Sequence, residues 1–187
     1  MDRRTKYTKN MIKDTFIDLL SEKDITKVTV SELCKKADIN RATFYRYYLD
    51  IFDLLDKMEE EFVTELKDSY ADFNYEDNQL YDYVLALLRA CLNNKKFIKI
   101  LFNTKNNIYF LNEVLLDAYE RCKEKWEHDL PNISPEVEEF ATAYMFNGTL
   151  GIVNYWIQNN FDKDIEELAL IVKDLSYFGT NKFIYHH

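Results

Sequence analysis

Three glycines and two prolines in 187 residues leave this chain little with which to reverse its direction tightly. Hairpins and bulges draw on glycine for positive φ and on proline for pre-set turns. Apolar residues nevertheless make up 47% of the sequence, ample for a core. Many apolar residues with few strand-reversing positions favour an all-α fold. No apolar run approaches the ~20 residues that span a bilayer, so no membrane partner is expected. The N-terminal MDRRTKYTKN is polar and basic with no apolar stretch behind it, which argues against a signal peptide. Cys34, Cys91 and Cys122 are odd in number and far apart, as expected of reduced thiols in a cytoplasmic protein. His186 and His187 can be native or a purification remnant and carry no weight here.

Net charge is −9, but it is unevenly spread. Residues 1–50 hold 11 basic against 8 acidic side chains, or +3; the remainder holds 13 against 25, or −12. A basic head on an acidic body suits a chain that touches phosphate at one end only. Periodicity in the head predicts three helices. Ile12, Phe16, Leu19 and Leu20 make an apolar stripe over residues 9–22, with Lys9 and Lys13 off it. Thr29-Val30-Ser31-Glu32 has capping-box spacing, in which Thr29 holds the Glu32 amide and the Glu32 carboxylate reaches back. Val30, Leu33 and Cys34 are then available to pack inward. Asp38-Ile39 makes a turn, Asn40 caps a third helix, and Phe44 with Tyr48 pins that helix inward. Arg41, Thr43, Tyr45, Arg46 and Tyr47 are left outward, as on a recognition helix lying in a major groove.

The T-V-S-E-L start, the A-x-I-N turn, T-F-Y-R-Y-Y and the following L-L resemble the DNA-binding domain of the TetR family, over about residues 5–60. The resemblance implies a transcriptional regulator that binds double-stranded DNA at a near-palindromic operator. It implies that Arg41, Ala42, Tyr45 and Arg46 face base edges and that Thr43 and Tyr47 hold phosphates. Ser31 would approach the groove from the second helix, with Thr29 and Asn40 at the two helix starts beside it. Guanidinium forks suit guanine edges, and Ala or Tyr can meet thymine methyls. Two departures stand out. Asp38 replaces a frequent turn glycine, which Asp tolerates. Ile51 stands where the family usually places a phosphate-clamping Lys at the start of helix four.

The remainder is expected to be a helical body over residues 50–187, after a DNA-binding domain at 1–49. Helices are predicted at 50–72 with Asp50 as N-cap, then 79–93, 95–103, 107–129, 135–159 and from Asp164 to about Phe178-Gly179. Ser134 caps and Pro135 opens the penultimate helix. Its stripe of Phe140, Tyr144, Gly148, Gly151 and Tyr155 neighbours Ile152, and the last helix adds Leu168, Ile171 and Leu175. Two such helices per chain can form a four-helix interface between two copies, a homodimer. NGTLGIVNYWIQNNFDKDIEELA also resembles the dimerising end of TetR-family regulators, nearest to a subgroup of dihydroxyacetone regulators. Dense aromatics beside acids such as Glu113 or Asp117 suit a small aromatic or cationic effector, and a protein partner is the alternative. No pocket is assigned.

No catalytic residues, metal ligands or cofactors are expected. His128 sits among charges, the cysteines lack CxxC spacing, and glycine-rich phosphate loops are absent. The rival class is a helical interaction protein that keeps the fold but works through a partner, with Ile51 and the acidic body in its favour.

Overall fold

The computed structural model describes residues 3–70, 79–103 and 134–184. The described residues are helical with no strand. Helix α1 (Arg3–Glu22) is followed by one 3-10 turn (Ile25–Lys27), α2 (Val30–Lys36), α3 (Arg41–Tyr45) and α4 (Ile51–Tyr70). Then come α5 (Gln79–Asn93), α6 (Lys95–Asn103), α7 (Pro135–Gln158) and α8 (Ile165–Ile184). The helix expected at 107–129, with His128, Cys122, Glu113 and Asp117, lies outside the described residues.

The chain divides into two compact units, Met1–Phe62 and Val63–His187. The division falls inside α4. Its cause is the buried face of α4, where Ile51, Leu54, Met58 and Phe62 join the core of the first unit. That core also contains Ile12, Phe16, Leu19, Leu33, Phe44 and Tyr48. Val30, expected to pack inward, is only half-buried.

Local chemistry sets the helix ends. Asp24 accepts from the Thr26 amide and hydroxyl to start the 3-10 turn. Helix α2 closes with Asp38 at φ 50°, where the Asp38 amide reaches Lys35 O and the Ile39 amide reaches Cys34 O. These paired bonds form a Schellman closure, normally favoured by glycine and here met by Asp. Ser134 caps α7 at the Val137 amide, and Asp164 caps α8 at the Glu166 and Glu167 amides. Helix α1 begins well before residue 9, with the Thr8 hydroxyl donating to Arg4 O.

In the second unit, α5 packs along α8, α6 on α7, and α7 on α8. Ala141, Met145, Val153, Trp156, Leu168, Ala169 and Val172 are buried there. The α7–α8 turn places Asn160 and Phe161 at φ 63° and 61°. It is braced by Trp156 Nε1 donating to Lys163 O at 2.9 Å and by the Trp156–Phe161 edge contact. Gly179 does not end α8, which continues to Ile184. A Cβ at Gly179 would lie 3.1 Å from the Tyr144 ring, so glycine here permits close approach of that side chain. No described helix is long and apolar enough to cross a membrane.

Candidate nucleic-acid interface

Two caps fix the segment that bears the candidate DNA contacts. Thr29 Oγ1 accepts from the Glu32 amide at 3.2 Å, half of the expected capping box. The other half is absent: the Glu32 carboxylate takes Lys23 Nζ, because a full positive charge outcompetes a backbone amide. Asn40 Oδ1 accepts both the Thr43 amide at 2.7 Å and the Thr43 hydroxyl at 2.9 Å. The Thr43 proton is therefore engaged in the cap, and the Asn40 amide nitrogen is the donor left facing outward.

On this frame Thr29, Ser31, Asn40, Arg41, Ala42, Tyr45 and Arg46 are exposed, while Thr43 and Tyr47 are half-buried. Phe44 is fully buried and Tyr48 nearly so, the expected inward pair. Tyr45 leaves 54% of its surface in solvent while its ring stands edge-on against Phe44 at 5.6 Å. A short helix thus presents two guanidinium groups, a methyl and a phenol on one side and buries a phenyl on the other.

Ion pairing separates the head's cations. Lys13 pairs with Glu61, Lys23 with Glu32 and Lys36 with Glu22. The Glu22 carboxylate holds the Lys36 ammonium above its ordinary pKa, and Lys36 holds Glu22 below its own. Among the described residues, Lys9, Lys27, Lys35, Arg41 and Arg46 have no carboxylate at ion-pair distance. Arg3 and Lys6 at the start of α1 likewise have none among the described residues, and together these are the charges available to neutralise phosphate.

The corner between α3 and α4 holds the expected Asp50 cap and, beside it, a contact that the sequence did not disclose. Asp50 Oδ1 accepts from the Phe52 and Asp53 amides, and Asp53 Oδ2 accepts from the Leu49 amide. Lys57 Nζ donates to Asp53 at 2.8 Å and to Tyr47 O at 3.2 Å, and lies 5.6 Å from the Tyr48 ring centre. Lys57, then the Leu49 amide, hold the Asp53 carboxyl below its ordinary pKa. Ile51 is 4% exposed, so it is a core residue and not a phosphate-facing one. A Lys introduced at 51 would bury a charge, so that substitution cannot probe the DNA face. The exposed apolar residues of the corner are Leu49 and Phe52, with Asp50 exposed between them. The Asp50 cap follows from local spacing, but the Lys57 contact depends on the fold of the corner.

The second candidate surface lies on α7 and α8. Phe140, Tyr144, Tyr155, Ile171 and Leu175 are exposed, as are Gly148 and Gly151, and Ile152 is half-buried. A Cβ built at Gly148 or Gly151 meets nothing within 4 Å, so the helix backbone there is open to approach. Leu168, expected on this face, is 6% exposed; it turns inward among Ala169 and Val172.

Among the described residues no three His, Cys, Asp or Glu side chains converge as a metal site. Full burial pushes the Cys91 thiol up to about 12, and burial also raises Cys34, partly offset by Arg41. Neither is primed as a thiolate.

Residues 14–58 match the family profile described as bacterial regulatory proteins, tetR family, and residues 78–177 match a transcriptional regulator C-terminal region. The chain is 26% identical over 176 residues to the HTH-type transcriptional regulator YxbF of Bacillus subtilis (strain 168). That match covers 90% of this chain and 44% of YxbF, so the chain spans less than half the length of this relative. Among solved structures, the dihydroxyacetone kinase operon activator DhaS superposes with a TM-score of 0.69 at 22% identity, covering 95% of this chain and 98% of DhaS. The SmeT–triclosan complex superposes with a TM-score of 0.64 at 15% identity, covering 92% of this chain and 91% of SmeT.

Proposed function

The chain belongs to the TetR family of DNA-binding transcriptional regulators, and from that premise we propose that it works as a homodimer reading a near-palindromic operator. The observation that carries the reading is the α3 surface. Arg41 and Arg46 stand exposed, without acid partners among the described residues, beside Ala42 and Tyr45 on a helix fixed by the Asn40 cap. Such a surface fits major-groove base edges, with Tyr47, the Asn40 amide and the Thr29 and Ser31 hydroxyls placed for phosphates. Two copies joined through the exposed face of α7 and α8 would set two α3 helices at successive grooves, about 34–36 Å apart.

In the same reading the body answers to a small effector, aromatic or cationic, that shifts the population of DNA-competent dimers. The likeness of fold to the triclosan-bound SmeT structure supports a ligand-holding body. The rival reading, a partner-bound interaction protein, has the acidic body in its favour, while Ile51 is a core residue.

The test is Arg41→Ala and Tyr45→Ala, assayed in parallel for duplex binding and for oligomeric state. Each variant should lose operator affinity by about 1–3 kcal/mol per base contact removed, while sedimentation still reports a dimer. Wild-type operator affinity in both variants would refute the α3 surface as the reading face.

A further inference from the structure

At the α3–α4 corner the backbone amides of Leu49, Phe52 and Asp53 are already taken by the carboxylates of Asp53 and Asp50. A phosphate brought there would meet two acids and occupied donors. Lys57, the cation nearest by, is engaged by Asp53 and the Tyr47 carbonyl. The corner is thus closed to an anion by the chain's own side chains.

A different cation is open. Lys9 Nζ on α1 lies 5.9 Å from the centre of the Tyr47 ring and has no carboxylate partner among the described residues. One turn along the same helix, Lys13 is neutralised by Glu61. Tyr47 in turn is seated firmly. Its carbonyl accepts from Lys57, and its ring packs edge-on at 6.4 Å to buried Tyr48. Its hydroxyl has no hydrogen-bond partner among the described residues. An ammonium held over an aromatic face keeps its N–H groups for a further acceptor, and the phenol beneath it offers an O–H.

The geometry points to Lys9 and Tyr47 as one composite clamp for a DNA phosphate: Lys9 supplies the charge, and the Tyr47 ring fixes where that charge sits. This rests on the DNA-reading assignment of the head. It places the head's phosphate anchor between α1 and the end of the recognition segment, away from the start of α4. Phosphate contact carries no base information, so its loss weakens specific and non-specific duplexes alike.

The experiment measures affinity for one random-sequence duplex against salt concentration, using the full chain and the variants Lys9→Ala, Lys13→Ala, Tyr47→Phe, Tyr47→Leu and Arg41→Ala. Lys9→Ala should flatten the slope of log affinity against log salt by about 0.9 per head. Tyr47→Leu, which removes the seat, should flatten it similarly, and the double variant should go little further. Tyr47→Phe keeps the ring and should retain the wild-type slope, while losing some affinity with the hydroxyl. Lys13→Ala should leave the slope unchanged. A wild-type slope in Lys9→Ala, or an equal flattening in Lys13→Ala, overturns the clamp; loss of operator affinity in Arg41→Ala alongside either would leave the α3 reading standing. A wild-type chain that retains no duplex even at low salt overturns both.

Discussion

On α3 the residues that meet solvent are Arg41, Ala42, Tyr45 and Arg46, whereas on α7 and α8 they are Phe140, Tyr144, Tyr155, Ile171 and Leu175. Both surfaces are helical and both back onto a buried aromatic, Phe44 in one and Trp156 in the other. Their outward chemistry differs because their proposed partners differ. A polyanion in water is met by charges and hydroxyls that stay hydrated until contact. A second protein copy is met by apolar rings around open glycine backbone, which gain by leaving water. Helix α7 is apolar on two sides, one stripe covered by its own subunit and one uncovered, the pattern of a helix expecting a cover.

Phe44→Ala empties the core behind α3 and should cost the first unit about 3–5 kcal/mol. Thermal unfolding followed by circular dichroism should then show early loss of the head's helices while those of the second unit persist. A single unchanged transition would mean that the head core is not supporting α3. Tyr155→Ala, on the uncovered stripe, should weaken self-association by about 2 kcal/mol, seen by sedimentation equilibrium, without altering monomer unfolding. Unchanged association would remove Tyr155 from any dimer face.

Smaller effects sharpen the head. The Tyr48 hydroxyl is buried with no hydrogen-bond partner among the described residues. Tyr48→Phe should therefore be neutral or stabilising by about 1 kcal/mol. Burial, with Glu61 and Asp53 adding to it, pushes the Tyr48 phenol from 10.0 up to about 12. The unfolded phenol ionises first, so the folded head binds more protons between pH 10 and 12 and loses stability as pH rises through that window. Tyr48→Phe should remove that alkaline loss in denaturant titrations; an identical loss in the variant would assign it elsewhere.

Asp53 runs the other way. Its lowered pKa contributes stability above the ordinary carboxylate range, and that contribution fades as pH falls through its depressed value. Asp53→Asn should flatten the acid limb of the head's stability profile. A steep limb in the variant would show that the Lys57 and Leu49 contacts are not its source.

What the sequence disclosed was mostly local. Thr29, Asn40, Asp50, Ser134 and Asp164 cap the helices they precede, and Asp38 takes the positive φ its turn requires. Each depends on a few neighbouring residues, so spacing alone reveals it. What stayed hidden depends on residues distant in the chain. Ile51 and Leu168 sit on amphipathic helices whose rotation is set by packing, and both turn inward. Gly179 looks like a helix stop until Tyr144 from another helix is found beside it. Lys13 and Lys9 look equivalent until Glu61 is found against one and Tyr47 beneath the other. Arg41, Tyr45 and Arg46 were legible as outward because a capped helix with one buried phenylalanine leaves little choice about which side faces out, whereas Thr43 and Tyr47, also expected outward, are half-buried. The ion pairing of the cations around them was not legible.

The most direct test is selection of bound duplexes from a random-sequence pool, run with the wild-type chain and with Arg41→Ala at low and moderate salt. An inverted repeat, with half-site centres about one helical turn or a multiple apart, should be enriched by the wild-type chain and lost with Arg41→Ala. Retention without an enriched sequence, or the same repeat recovered by the variant, would contradict the α3 reading.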